Sequence, residues 1–110
     1  MFEERERGYE AKWAHDAEAL FRVMARRDTA LGEWAAARMN LSAAEAADYV
    51  GAVIQAGMVG KGADPALEKI RADFAARGAA CPDDELQAKA ADLRAEAEAH
   101  FGTVPKAALG

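Results

Sequence analysis

Large apolar side chains recur through the first third of the chain at Phe2, Tyr9, Trp13, Leu20, Met24 and Leu31. The gaps between them are 7, 4, 7, 4 and 7 residues, or 29 residues over eight turns. That is about 3.6 residues per turn, so the six positions form one continuous stripe on one helical face. The pattern predicts a helix from near Phe2 to about Met39. Gly8 and Gly32 weaken it by about 1 kcal/mol each relative to alanine. Asn40 is its stop. Trp34, between Leu31 and Met39, reads as a core anchor.

Three shorter helices follow. Ser42-Ala-Ala-Glu45 is a capping box, in which each side chain satisfies the other residue's free amide. The stripe of the second helix is read as Ala43, Ala47, Val50 and Ile54, with Gly57 as its end and a glycine-rich loop over residues 57–63. Asp64-Pro65 supplies an N-cap and a first-turn proline for the third helix, whose apolar positions are Leu67, Ile70 and Phe74 and whose stop is Gly78. Pro82 with Asp83, Asp84 and Glu85 starts the fourth, the acids matching the positive end of the helix dipole. Its stripe is Leu86, Ala90, Leu93, Ala97 and Phe101, and Gly102 and Pro105 end it.

Four amphipathic helices with short connections predict an all-α fold, a small four-helix bundle. The lengths do not match. Helices two to four span about 20–30 Å each at 1.5 Å per residue, whereas a helix from Phe2 to Met39 spans roughly 57 Å. Half of the first helix therefore lacks a partner within the chain. The expected organisation is an N-terminal segment over residues 1–16, mobile and disordered when free, a bundle over residues 17–102 and a tail over residues 103–110. An aromatic stripe with no intramolecular partner points to an intermolecular one.

Composition narrows the class. Of the 57 hydrophobic residues among 110, 30 are alanine, so the core is small. Fourteen Lys and Arg against 19 Asp and Glu give a net charge of −5. With no basic block clear of acids, nucleic-acid binding is disfavoured. The longest apolar stretch, Val50 to Gly60, is too short to cross a bilayer, so no direct membrane insertion is expected. The N-terminus has no apolar signal core, and the single cysteine, Cys81, has no partner for an internal disulfide. The simplest reading is a cytoplasmic monomer.

Candidate chemistry is sparse. His15, Asp16 and Glu18 do not make a metal site, because zinc needs three or four converging ligands. Gly57-Met-Val-Gly60-Lys61-Gly62 fails the phosphate-loop spacing and has Gly62 where a magnesium-binding hydroxyl belongs. Cys81 has no basic neighbour in sequence and reads as inert. Five hydroxyl side chains, Tyr9, Thr29, Ser42, Tyr49 and Thr103, offer little for an enzyme. The strongest constellation is residues 2–16. It carries Phe2, Tyr9 and Trp13 on one face, with Arg5, Arg7 and Lys12 among Glu3, Glu4, Glu6 and Glu10. Aromatics and arginines dominate interface hot spots. The bland alternative is a frayed helix start with Trp13 tucked back onto the bundle.

The residues Phe2, Arg5-Glu6-Arg7, Glu10, Lys12, Ala14-His15-Asp16, Ala25-Arg26-Arg27, Gly32-x-Trp34-Ala35-Ala36 and Lys69-Ile70-Arg71-x-Asp73-Phe74 resemble the zeta subunit family, the small ATPase inhibitors of alphaproteobacterial F-type ATP synthases. The resemblance is densest over residues 2–36. The chain departs from the family in having Trp13 in place of phenylalanine, a glycine-rich stretch from Ile54 to Ala66 in place of an acidic one, and Pro82 in place of a serine cap. The resemblance implies a four-helix bundle with a mobile inhibitory N-terminus and no enzymatic activity of its own. It also implies that residues 1–16 enter a catalytic interface of the synthase head, among the alpha, beta and gamma subunits, and block ATP hydrolysis. The implied contact residues are Phe2, Arg5, Glu6, Arg7, Tyr9, Glu10, Lys12, Trp13, His15 and Asp16. The protein would then sit at the cytoplasmic face of the inner membrane through the synthase. No cofactor is required. ADP or ATP is a weak regulatory ligand of the family. By residue type alone, Arg26, Arg27, Lys69 and Arg71 are the candidates for its phosphates and Trp34 for stacking. The rival reading is a helical adaptor using the same aromatic stripe on another partner.

Overall fold

A computed structural model describes the backbone of residues 2–101 and the side chains of residues 16–101. The chain forms α1 (Phe2–Arg38), α2 (Ala43–Val59), α3 (Pro65–Arg77) and α4 (Asp83–Phe101), with no strand among the described residues. The all-α, four-helix expectation holds. Expectations about the side chains of residues 1–15, about disorder of the free N-terminal segment and about the tail from residue 102 fall outside the described residues.

The helix boundaries follow local chemistry. Asn40 takes the left-handed conformation, φ 58°, and the Leu41 amide returns to the Ala36 carbonyl at 3.0 Å. These features close α1 with an asparagine in the usual glycine position. At the start of α2 the Ser42 amide donates to Glu45 Oε1 at 2.9 Å, and the Glu45 amide donates to Ser42 Oγ at 3.2 Å. Asp64 caps α3 through the Leu67 amide, and Gly78 ends it at φ 66°.

The core lies between all four helices. Leu31, Val53, Ile70 and Leu86, one from each helix, have no more than 1% of their surface exposed. Burying a side chain of this size contributes about 1.5–3 kcal/mol. Trp34 packs edge-on against Phe74, centroids 5.8 Å apart, and lies at the margin of this cluster. A second, smaller contact joins Val23 of α1 to Ala97 of α4.

Two expectations about α2 need correction. Its buried residue is Val53, while Ala43 and Ala47 are exposed and Val50 and Ile54 are half-buried. Nor does the helix stop at Gly57, for it continues to Val59 and is capped by Gly60. A carboxylate lies over Gly57. A Cβ there would collide with Asp28 Oδ2 of α1. Gly32 of α1 plays the reciprocal part, its Cβ position lying 3.2 Å from the Val50 Cα. The two helices thus approach closely at Gly32, while at Gly57 the Asp28 side chain fills the space between them.

Gly51, on the exposed side of α2, has no atom within 4 Å of its Cβ position. Gly51→Ala should therefore stabilise the protein by about 0.5–1 kcal/mol through helix propensity alone. Gly57→Ala should destabilise it by about 1 kcal/mol or more, since overpacking outweighs the same propensity gain. Urea unfolding followed by circular dichroism tests the pair, and stabilisation by both would refute the glycine–carboxylate contact.

Candidate functional site

The helices differ in length in a way that defines one end of the molecule. α1 has 37 residues against 17, 13 and 19 for α2, α3 and α4. At 1.5 Å per residue it spans about 56 Å, close to the 59 Å long axis of the whole molecule. The other helices pack along its C-terminal half. The α2–α3 loop meets α1 at Arg27 and Asp28, through Asp64 and Gly57. The last turn of α4 lies beside Arg22 and Ala25, where Phe101 helps to line a shared groove. Residues before Asp16 run on as helix beyond both levels.

A buried ion cluster joins α1 to α2 and α3. Arg27 is 3% exposed. Its Nη1 and Nη2 donate to the two carboxylate oxygens of Asp64, both at 2.7 Å. Its Nε and Nη2 donate to Asp28 Oδ1 at 2.9 and 2.6 Å. Asp64 also caps α3, so one guanidinium ties α1 to the start of α3 while Asp28 rests on Gly57 of α2. Burial opposes every charge in the cluster. For Arg27, burial pulls the pKa down, but the two carboxylates outweigh it and the guanidinium stays charged. Burial also raises Asp64, yet the paired hydrogen bonds and charge of Arg27 leave it below its ordinary value. Asp28 ends above its ordinary value, because burial exceeds what Arg27 returns to it.

The residues considered for a nucleotide are not brought together as a phosphate site. Arg27 is internal and fully engaged. Lys69 pairs with Asp73 at 3.0 Å and lies over the Tyr49 ring. Tyr49 donates to the same carboxylate, and burial together with that bond raises its phenol above the usual range. Arg71 is held by Glu68 and by Asp83. Trp34 is covered by Phe74 on one side and Arg38 on another. Arg26 differs. It is exposed and, with Arg22 and Thr29, lines a groove of about 550 Å³ between α1 and α4, floored by Ala25, Ala30 and Ala97.

Of the expected contact residues, Phe2, Arg5, Glu6, Arg7, Tyr9, Glu10, Lys12, Trp13 and His15 have side chains outside the described residues. Asp16 is described and is buried, so its carboxylate does not stand ready at the surface. Cys81 does have a basic neighbour, Arg38. Burial and the charge of Glu85 nevertheless push its thiol up, which disfavours the thiolate. No cluster of three or more metal-ligating side chains occurs among the described residues, and no described helix is long and apolar enough to cross a membrane.

The family model for ATPase inhibitor subunit zeta matches residues 1–100. The chain belongs to this family. The match takes in the projecting half of α1 as well as the bundle, so the inhibitor family's defining pattern covers both parts. No curated protein and no solved structure matches the chain. Family membership makes the partner an ATP synthase and the role inhibitory.

The ion cluster was missed in the sequence, where Arg27 was grouped with Arg26, Lys69 and Arg71 as a phosphate candidate. A signal was present: Arg27 and Asp28 fall between Met24 and Leu31 on the apolar stripe, where a charge has to be paired. Asp64→Asn keeps an α3 cap and removes one charge. It should cost roughly 2–3 kcal/mol at pH 7, below the ~3–5 kcal/mol of a fully buried pair because the Asp64 side chain is 28% exposed. The pKa of Asp64 is lowered on folding, so its stabilisation is complete above the ordinary 3.8 and is lost as the pH falls through the lower folded value. Asp28, raised on folding, works the other way and blunts that loss. The difference between wild type and Asp64→Asn in urea unfolding should therefore shrink toward zero as the pH falls below about 4.

Proposed function

We propose that this chain inhibits ATP hydrolysis by F-type ATP synthase by inserting residues 1–16, the leading half of α1, into a catalytic interface of the enzyme head. The supporting observation is the length mismatch: α1 has 37 residues against 17, 13 and 19 for the other helices, so its leading part runs on past them. A helical segment with apolar positions at Phe2, Tyr9 and Trp13 on one face is suited to a groove on another protein. The aromatic face anchors the segment between an alpha and a beta subunit, beside the gamma subunit. Arg5, Arg7 and Lys12 pair with acids on the partner, and Glu3, Glu6 and Glu10 with bases. The wedge opposes rotation in the hydrolysis direction, and the bundle stays outside as a stop.

The ion cluster supports this reading mechanically. A wedge that is pushed must be held by its handle, and Arg27 and Asp28 join α1 to α2 and α3 within the handle. No cofactor takes part. A regulatory ADP or ATP would be sought in the α1–α4 groove, because Arg26 is the one phosphate candidate without an ion pair among the described residues. Amide shift mapping with ADP would locate it.

Deletion of residues 1–16 should abolish inhibition of the detached catalytic head while the helical circular dichroism and unfolding of residues 17–101 persist. Trp13→Ala should weaken inhibition at least tenfold, the cost of losing one anchor of about 1.4 kcal/mol or more. ATP hydrolysis titrated with each protein tests both, and undiminished inhibition by the deletion would refute the mechanism.

A further inference from the structure

Four large apolar side chains of the bundle stand out in solvent: Phe21 (58% exposed), Met58 (62%), Val59 (67%) and Phe101 (46%). All four lie at the end from which α1 emerges. Phe21 is exposed although Asp16, farther toward the N-terminus on another face of α1, is buried. Asp28 sits on Gly57, and Phe21 is seven residues, about 10 Å, farther toward the N-terminus on nearly the same face. After Gly57, α2 runs on for only Met58 and Val59, about 3 Å. Phe21 therefore lies past the end of α2, about 7 Å along the α1 axis from the level of Val59. Phe101 terminates α4 at the same level.

The opposite end is unlike this one. There Met39 and Leu41 are half-buried, and ion pairs Arg38–Glu85 and Arg71–Asp83 tie the helices at the surface. Apolar exposure of the bundle is thus confined, among the described residues, to one end. Single exposed apolar side chains are ordinary on a monomer; four that share one end, although α2 and α4 are not neighbours there, make that end a candidate contact site.

We propose that this end is a second docking surface, occupied by the outer rim of the same ATPase head that receives residues 1–16. The inference rests on the insertion reading above. Helix continuity supplies the occupant. Phe21 lies five residues beyond Asp16 on an unbroken helix, or about 7–8 Å along its axis. If Asp16 is at the mouth of the partner's groove, the bundle end is within a side chain's reach of the partner's surface. Four exposed apolar groups are then carried to the one place where a contact is unavoidable. The bundle is not only a stop: it adds binding energy outside the groove and fixes the insertion depth.

The test uses the full-length chain and the detached head. The variant Phe21→Gln, Met58→Gln, Val59→Gln, Phe101→Gln changes only exposed positions, and circular dichroism with a thermal melt establishes that it folds. Its half-inhibiting concentration should rise roughly tenfold or more, with inhibition still complete at saturation because residues 1–16 are intact. In the otherwise wild-type chain, a photo-crosslinking side chain at Val59 should capture a head subunit, whereas one at Ala80, at the opposite end, should not. Equal inhibition by the folded variant and the wild type would overturn the proposal and leave the insertion reading standing. A Val59 cross-link to a second copy, or to residues 103–110 of the same chain, would overturn it as well. Absence of inhibition by the wild type would overturn the insertion reading and this proposal together.

Discussion

One buried guanidinium holds the architecture in register. Arg27 carries a charge into the interior, and that charge is tolerable only because two carboxylates meet it with four hydrogen bonds. Much else follows from satisfying it. Asp64 must stand where α3 begins, which sets the α2–α3 loop. Asp28 must have room for its second oxygen, which forces a glycine at position 57. The close approach of α2 to α1 is made at Gly32, against Val50. A hydrophobic contact in place of the Arg27 cluster would allow the helices to slide. An ion cluster with fixed hydrogen-bond directions does not.

This explains how an alanine-rich chain keeps one packing arrangement. Small side chains bury little area each and leave many similar ways of packing smooth helices together. The polar links are spaced along the bundle: the Arg27 cluster at one end, Tyr49 with Lys69 and Asp73 between α2 and α3, and the Arg38–Glu85 and Arg71–Asp83 pairs at the other end. The exposed pairs contribute little energy each. Their value here is in specifying which residues face one another.

The helices and their ends were legible in the sequence because caps and stops are local. Ser42 with Glu45, Asp64 with Pro65, Gly78 and Asn40 each act over a few residues, and each is where the pattern placed it. The stripe of α4 was legible too, from Leu86 to Ala97. The inner face of α2 was not. Its alanines, valines and glycines give nearly equal hydrophobicity on several faces, and the choice of Val53 over Ala47 is made by neighbouring helices. Gly57 misled for a related reason: a glycine that relieves a tertiary clash looks the same in sequence as one that ends a helix. The site was legible only in outline. The length of α1 announced a projecting segment, whereas the cationic candidates Arg27, Lys69 and Arg71 are claimed by carboxylates distant or adjacent in sequence that no local pattern ranks.

The absence of any break between the bundle and the leading half of α1 has one more consequence. A continuous helix transmits angle as well as distance. Each residue between Asp16 and Arg22 contributes about 1.5 Å and about 100° of rotation. Loss or gain of a single residue there would swing the aromatic face a quarter-turn or more away from its heading relative to the bundle, even with every side chain kept. A change of seven residues would nearly restore the heading but displace the bundle by about 10 Å. In this short neck the number of residues is under tighter constraint than their identity, as with the teeth of a key whose shank fixes both depth and orientation.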